Sequence, residues 1–400
     1  MRAFTVLFAL LVVAAFAKKP SWREVEGYTF EKFVTDFKKP YVAGEERFQV
    51  RKEIFAKNIQ HINTINADVT RSWKAGVNMF TDMSPAEFKA YNRFSRGESR
   101  GTPTVSHDMD SLGGDAPLPL TVDWRQSNPR VLTAVKHQGS CGSCWAHSAV
   151  ESIEAQYAIV TGMLPVLSVA QINSCTPMSY NSAGCDGGDY VGAWEYLANV
   201  SVVRPVVQNA LTEEWAYPQP LQDWFFDTQP PNSTTSACFD ISTMWTTPTT
   251  QWFAELTAAG VSGYGAVNSN NATGGPLAQR ALRDVGPQSV SVAAGNWQWY
   301  ETGIFQNTNS SGGDNEWGID HAVQMVGYGF DKGYNMNYWI VRNSWSTLWG
   351  EEGYIRLYRA DTGAAEQCSP ASYGPVCGTS GVLSDLAYPI VFESTPTKFG

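Results

Sequence analysis

The sequence predicts an α+β fold, a helical half followed by a β-rich half, behind a separate helical N-terminal segment. Three observations predict it. Between residues 21 and 94, Phe48, Phe55, Ile59 and Ile62 fall seven, four and three positions apart, the spacing of one helical face. From Cys144 onward, Ala146, Ala149, Val150, Ile153 and Tyr157 recur at helical spacing. In the last third, Ser289–Ala293, His321–Tyr328, Tyr338–Trp345 and Gly353–Arg359 are short strand-like runs separated by Gly, Asp and Asn.

At the N-terminus, Met1-Arg2 leads into an uncharged, mostly apolar run from Ala3 to Ala17 that closes on Ala15-Phe16-Ala17. This reads as a secretory signal peptide, residues 1–17, cut after Ala17. A run of about 15 residues is short of the ~20 that a membrane-spanning helix needs. The mature protein is therefore expected to be soluble and to fold in an oxidising lumen. Sequons at Asn199, Asn232, Asn271 and Asn309 suit such a route. Residues 95–117 are rich in Ser, Gly, Pro, Arg and Asp and read as a linker and candidate cleavage site. Segments 228–251 and 266–276, rich in Thr, Ser, Asn, Pro and Gly, read as surface loops. The expected domains are thus 18–117, a helical region plus linker, and 118–400.

The 400 residues are 43% hydrophobic and 13% aromatic, enough for a sizeable core. A net charge of -10 argues against a nucleic-acid partner. The charge is uneven: residues 18–117 hold 16 Lys+Arg against 14 Asp+Glu, whereas 118–400 hold 11 against 24. Segments of opposite sign suit one another as partners. Their contact is expected to be partly electrostatic and to loosen as acid near pH 4–5 protonates carboxylates. Seven cysteines allow at most three disulfides and leave one thiol over.

The chemistry concentrates in Gln138-Gly139-Ser140-Cys141-Gly142-Ser143-Cys144-Trp145-Ala146. A thiolate at a helix N-terminus is stabilised by unpaired N–H groups and the helix dipole. A nearby imidazole would hold it as an ion pair and later protonate the leaving amine. Gln138 can set its amide beside the Cys144 N–H, giving two donors for an oxyanion. Cys141 and Cys144 also form C-x-x-C, a redox or half-zinc pattern. Nothing upstream supplies a βαβ unit, and no second close Cys or His pair completes a zinc site.

This stretch resembles the active-site segment of papain-like cysteine proteases, the family of papain and the L-type cathepsins. Val122-Asp123-Trp124-Arg125 resembles the mature start, and Gly184-Cys185-Asp186-Gly187-Gly188 the family's G-C-x-G-G. Gly286–Val290 and Tyr300–Phe305 resemble later blocks. Asp320-His321-Ala322-Val323 resembles the histidine strand, and Asn343-Ser344-Trp345 with Trp349-Gly350 the asparagine turn. Upstream, Arg51, Phe55, Asn58, Ile62 and Asn66 fit an inhibitory propeptide's spaced pattern, as do Gly76, Asn78, Phe80 and Asp82. Departures are Arg47 for a glutamate, His147 for phenylalanine and Ser346 for glycine. His321 follows Cys144 by 177 residues against a usual span of about 130–150, which implies inserted loops.

The resemblance implies a helical half bearing Cys144 packed on a β-barrel-like half bearing His321 and Asn343, with a cleft between them. It implies a cysteine endopeptidase made as a zymogen and acting through a thioester. Cys144 is the nucleophile, His321 the acid/base, Asn343 the orienter of the imidazole and Gln138 the oxyanion donor. Trp345 shields the His–Asn bond and borders the substrate. Gly187 and Gly188 let a substrate backbone approach and pair. Tyr190, Ser291, Ile319, Ala322 and Val382 line the pocket for the residue two before the cut. None of these is acidic, so apolar side chains are expected there and Arg is expected to be cut poorly. The implied disulfides are Cys141–Cys185, Cys175–Cys238 and Cys368–Cys377. His147 is expected at a core edge, and His61 and His107 in solvent. The chemistry calls for no cofactor or metal. Expected partners are protein or peptide substrates and the chain's own propeptide, with no nucleic acid or membrane, in a monomer of the lysosome, acidic vacuole or extracellular space. A non-catalytic secreted glycoprotein on the same scaffold would be expected to lose Cys144, His321 or Gln138. An exopeptidase would need a cleft-blocking element such as a paired-His loop.

Overall fold

The computed structural model describes residues 19–98, 100–108, 111–112, 116–200, 202–203, 258–306, 317–361, 364–370 and 374–394. The expected signal peptide, the loop 228–251, Cys238, and the sequons at Asn232 and Asn309 lie outside the described residues.

The N-terminal region forms three helices, α1 (Phe30–Asp36), α2 (Glu46–Ala67) and α3 (Pro85–Tyr91). Thr29 caps α1 by accepting the Lys32 N–H. Ser84 and Glu87 form a reciprocal capping box on α3, with Pro85 in its first turn. The α2 face read from the sequence is the packed one: Phe48, Phe55 and Ile62 are buried, and Ile59 is partly so. Asn58 on this face donates to the carbonyls of Thr81 and Met83, and Asn66 clasps the Ala75 backbone through both its amide atoms. Arg51 grips Glu87 with two guanidinium nitrogens, at 3.0 and 2.7 Å. These contacts give the spaced propeptide residues their physical reason: each ties α2 to the chain that follows it.

Beyond this region lie α4 (Cys144–Thr161), α5 (Val169–Cys175), α6 (Tyr190–Val200) and α7 (Gly275–Asp284). The strands are β1 (Trp73–Ala75), β2 (Val105–His107), β3 (Val122–Asp123), β4 (Val202–Val203), β5 (Ala258–Val267), β6 (Gln288–Val292), β7 (Tyr300–Phe305), β8 (His321–Asp331), β9 (Met336–Arg342), β10 (Tyr354–Arg359), β11 (Cys368–Ser369), β12 (Val376–Cys377) and β13 (Leu386–Ser394). Eleven of them form one mixed sheet in the order β1-β7-β10-β9-β8-β6-β13-β5-β2, with β3 on β8 and β4 on β5. Both ends of that path, β1 and β2, come from the N-terminal region.

Two expectations change. Residues 95–117 are not only a linker, because Val105–His107 pairs in parallel with Gly265–Val267. The stretch 266–276 is not one loop, because β5 runs to Val267 and α7 starts at Gly275. Apolar strand edges and an amphipathic first turn thus hid beneath a loop-like composition.

One buried cluster surrounds α4, with Trp145, Val150, Ile153, Tyr157, Tyr190 and Trp194. The other is continuous from α1 and α2 (Phe30, Phe33, Phe48, Phe55) through Phe80 and Phe88 into the β half at Trp297, Trp345 and Trp349. The N-terminal region therefore shares a core with the β half rather than resting on it. The two halves meet through polar contacts as well: Ser148 on α4 donates to the Val323 carbonyl, and Ser152 bonds Ser289 on β6.

Candidate active site

Cys144 opens α4, directly after its N-cap Ser143, and is fully buried. It is the free cysteine among the described residues. Burial pushes its thiol up to about 11, outweighing the opposing pull of the backbone N–H groups of Ala322, Arg93 and Trp145. His321 opens β8, beside Ala322. Its Nε2 lies 2.9 Å from Asn343 Oδ1. That oxygen also accepts the Ser344 N–H at 2.8 Å, which fixes the amide's orientation and makes Nε2 the protonated nitrogen. Nδ1 is left as a buried lone pair with no hydrogen-bond partner among the described residues. Burial drives the imidazole down to about 4, against the Asn343 bond that raises it.

Asn343 follows β9 directly. Trp345 stacks on His321 at 4.7 Å and so covers the His–Asn bond. The Trp345 indole N–H and the Ser344 hydroxyl both donate to Gln138 Oε1, at 3.2 and 2.8 Å. With its oxygen held by two donors, Gln138 turns Nε2 toward the nucleophile's loop, where it donates to the Cys141 carbonyl at 3.1 Å. A bridge joins Cys141 to Cys185, bracing the loop before α4, and another joins Cys368 to Cys377. Cys175 is also disulfide-bonded.

The N-terminal region covers this site. Phe80, Phe88 and Tyr91 pack edge-on around Trp345, at 5.3, 5.3 and 6.2 Å. The chain then crosses between the halves: the Phe94 N–H donates to the Asp320 carbonyl at 2.9 Å and the Ser95 N–H to the Gly188 carbonyl at 3.1 Å. Gly187 has φ +120°, and a Cβ there would lie 2.2 Å from the Arg93 carbonyl oxygen; one on Gly188 would meet the Trp145 ring at 2.7 Å. The close backbone approach expected at these glycines is made, in the precursor, by residues 93–95.

Of the expected pocket residues, Tyr190, Ala322 and Ile319 share one cluster with Phe94, whose ring stacks on Tyr190 at 5.5 Å. Ser291 pairs with Ala322 across the sheet. Val382 is buried in the other cluster. The sequence reading missed two carboxylates here. Asp189 lies between Gly188 and Tyr190, and the Tyr190 hydroxyl donates to the Asp385 carbonyl oxygen. Arg100 bridges both side chains, so two carboxylates adjoin this pocket although none of its five expected lining residues is acidic. Adjacency to Gly188 and proximity to Val382 were the available signals. Burial also pushes the Asp320 carboxyl, next to His321, up to about 6, although it accepts N–H bonds from Ala294 and Asn92.

His147 is buried, its Nδ1 2.9 Å from the Ser143 carbonyl, and burial lowers it to about 3, so it is neutral. Of the two histidines expected in solvent, His61 is exposed, its ring tilted against Trp299 at 4.5 Å, whereas His107 is half-buried and its ring bonds the Tyr388 hydroxyl at 2.8 Å. Asn199 is exposed on α6, and Asn271 is exposed in the turn before α7. Among the described residues no His/Cys/Asp/Glu group could hold a metal ion, and no helix is long and apolar enough to cross a membrane.

A cysteine at a helix N-terminus, an asparagine-oriented histidine on the facing sheet and a covering N-terminal segment define a cysteine protease precursor. The chain belongs to the papain family: the Papain family cysteine protease domain matches residues 118–374, and the Cathepsin propeptide inhibitor domain matches 30–88. It is 32% identical over 392 residues to Digestive cysteine proteinase 1 of Homarus americanus, covering 96% of this chain and 98% of that one. Cathepsin F of Drosophila melanogaster is 30% identical over 86% of this chain and 50% of its own. Among solved structures, digestive procathepsin L 3 of the Tenebrio molitor larval midgut superposes with a TM-score of 0.64 at 27% identity, covering 90% of this chain and 97% of that one.

Proposed function

We propose that this papain-family proenzyme is a secretory-pathway endopeptidase of the secreted or lysosomal type, with residues 18–117 as inhibitory propeptide and linker and 118–400 as the peptidase domain. The observation that carries this reading is the placement of Cys144 at the start of α4, in one buried cluster with Ala322, the neighbour of the asparagine-held His321, under a strip of its own chain.

The mechanism follows from the geometry. Once residues 93–95 leave, His321 Nδ1 takes the Cys144 proton, and Asn343 Oδ1 holds the resulting imidazolium through Nε2–H. The thiolate sulfur attacks the scissile carbonyl carbon. The carbonyl's π electrons move to oxygen, where the Cys144 N–H and a Gln138 Nε2–H freed from the Cys141 carbonyl stabilise the charge. Collapse breaks the C–N bond as His321 returns the proton to the leaving amine, leaving a thioester. Water, deprotonated by His321, attacks the thioester and releases the acid and the thiol. A side chain two residues before the cut occupies the space of Phe94, against Tyr190, Ala322 and Ile319; an apolar one is accepted there. The test is to express the precursor, acidify it and assay peptide hydrolysis with and without a thiol-alkylating epoxide. Hydrolysis that the epoxide leaves untouched would overturn the reading.

A further inference from the structure

Beyond the cleft, the chain that covers the site passes through a charged socket. The Arg100 guanidinium binds Asp189 through Nε and Nη2, at 2.6 and 2.7 Å, and Asp385 through Nη1 and Nη2, at 2.6 and 2.9 Å. It also lies 5.3 Å over the Tyr190 ring. The side chains of Arg100, Asp189 and Asp385 are only 11%, 1% and 9% exposed. Asp189 is further held by the N–H groups of Gly97 and Val191. Arg96 stands 3.6 Å from Asp385.

Both carboxylates belong to the peptidase domain, one just before α6 and the other just before β13, whereas among the described residues the cations paired with them, Arg96 and Arg100, belong to residues 96–100. When that segment leaves, two desolvated carboxylates on one wall lose their counter-charge, a costly arrangement that favours capture of another cation. The wall is Tyr190. The same ring carries Phe94, the residue whose backbone lies on Gly188 and Asp320 in the cleft. The socket therefore continues the space into which a substrate side chain would enter past Tyr190.

We infer that in the mature enzyme Asp189 and Asp385 receive the guanidinium of a substrate arginine two residues before the cut, a site that Arg100 fills in the precursor. This rests on the endopeptidase reading and specifies its substrate class. Arginine fits better than lysine because each carboxylate takes two N–H groups of a planar fork, which a point ammonium cannot supply. Tyr190 adds a face over which the cation sits. The apolar pocket and the socket are successive parts of one channel, so apolar residues and arginine are both taken, for different reasons.

The test uses the matured wild-type enzyme and two fluorogenic peptides that differ only in having arginine or citrulline two residues before the cut. Citrulline keeps the shape and loses the charge. The expected kcat/KM ratio is roughly 10- to 100-fold in favour of arginine, the size of a charge-assisted contact. In Asp385→Asn, and separately in Asp189→Asn, that ratio should fall several-fold. A wild-type ratio near one overturns the inference without needing any variant to fold, as does a large ratio that survives in both variants. Hydrolysis of neither peptide, nor of a leucine analogue, would instead sink the endopeptidase reading and the inference with it.

Discussion

Replacing Arg100 by Met in the precursor keeps the length of the side chain and removes its charge. In the closed chain Arg100 makes four N–H contacts to two nearly buried carboxylates. Breaking a buried pair by deleting one partner costs ~3–5 kcal/mol. Part of this is recovered here, because the Gly97 N–H still donates to Asp189 and Arg96 is near enough to turn toward Asp385. A net cost of ~2–3 kcal/mol corresponds to about a 30- to 150-fold larger open population. The assay uses full-length chain carrying Cys144→Ala, so that it cannot cut itself, with a trace of an unrelated protease at pH 7.5. When closing outpaces cleavage, nicking near residues 95–117 tracks the open population. Nicking rates within about threefold of each other, with and without Arg100→Met, would refute the clamp. The pH arm has a definite sign. Burial alone would raise the Asp385 carboxyl, but the charge and hydrogen bonds of Arg100 outweigh it and leave it below the ordinary range. A depressed acid contributes stability that is fully present above the ordinary Asp value and is lost only as pH falls through the depressed one. The clamp should therefore persist at pH 4.5. Asp320, raised by burial to about 6, works the other way: between its ordinary value and about 6 the closed form holds the extra proton, so acid in that window favours closure. The expectation that pH 4–5 loosens paired carboxylates thus fails for this pair, and a difference between the two chains that vanishes by pH 4.5 would reverse that conclusion.

Cys144→Ala should abolish peptidase activity while leaving the circular-dichroism spectrum of the folded chain intact; near-wild-type hydrolysis would end the mechanism. Gln138→Ala should lower kcat by about 10²-fold, as loss of one oxyanion donor does, and an unchanged kcat would remove its role. In the intact precursor, burial holds Cys144 up to about 11 and His321 down to about 4, so the pair is neutral at pH 7. Because Cys144 is fully buried there, its alkylation at pH 7, read by mass spectrometry, should be at least about tenfold slower in the uncut chain than after the propeptide is removed. Equal rates in the cut and uncut chains would contradict this.

The α2 face and the strands β6, β8, β9 and β10 were legible because their apolar period and composition match the burial that the fold imposes. Cys144 at a helix start was legible for the same reason. Strand β2 was not, since Val105-Ser106-His107 carries no pattern longer than three residues and takes its conformation from the β5 edge. The Arg100 socket was invisible because its three charges are 89 and 285 residues apart, and only the fold joins them. The sequence sets the Gln138 amide beside the Cys144 N–H, whereas the structure has it donating to the Cys141 carbonyl; the two donors that orient it come from Ser344 and Trp345, and no local spacing announces them.

The ends of the sheet carry a consequence for the protein after cutting. Both outermost strands, β1 on β7 and β2 on β5, lie in the region proposed to be discarded. Maturation would then strip two borders at once, turning the ladder groups of Tyr300–Gly303 and Gly265–Val267 from partnered to unpartnered. An open strand border is a template for any extended chain. The mature enzyme would thus acquire two adhesive margins remote from its chemistry. Its tendency to self-associate should rise with concentration after processing, even though the polypeptide has become shorter and more acidic.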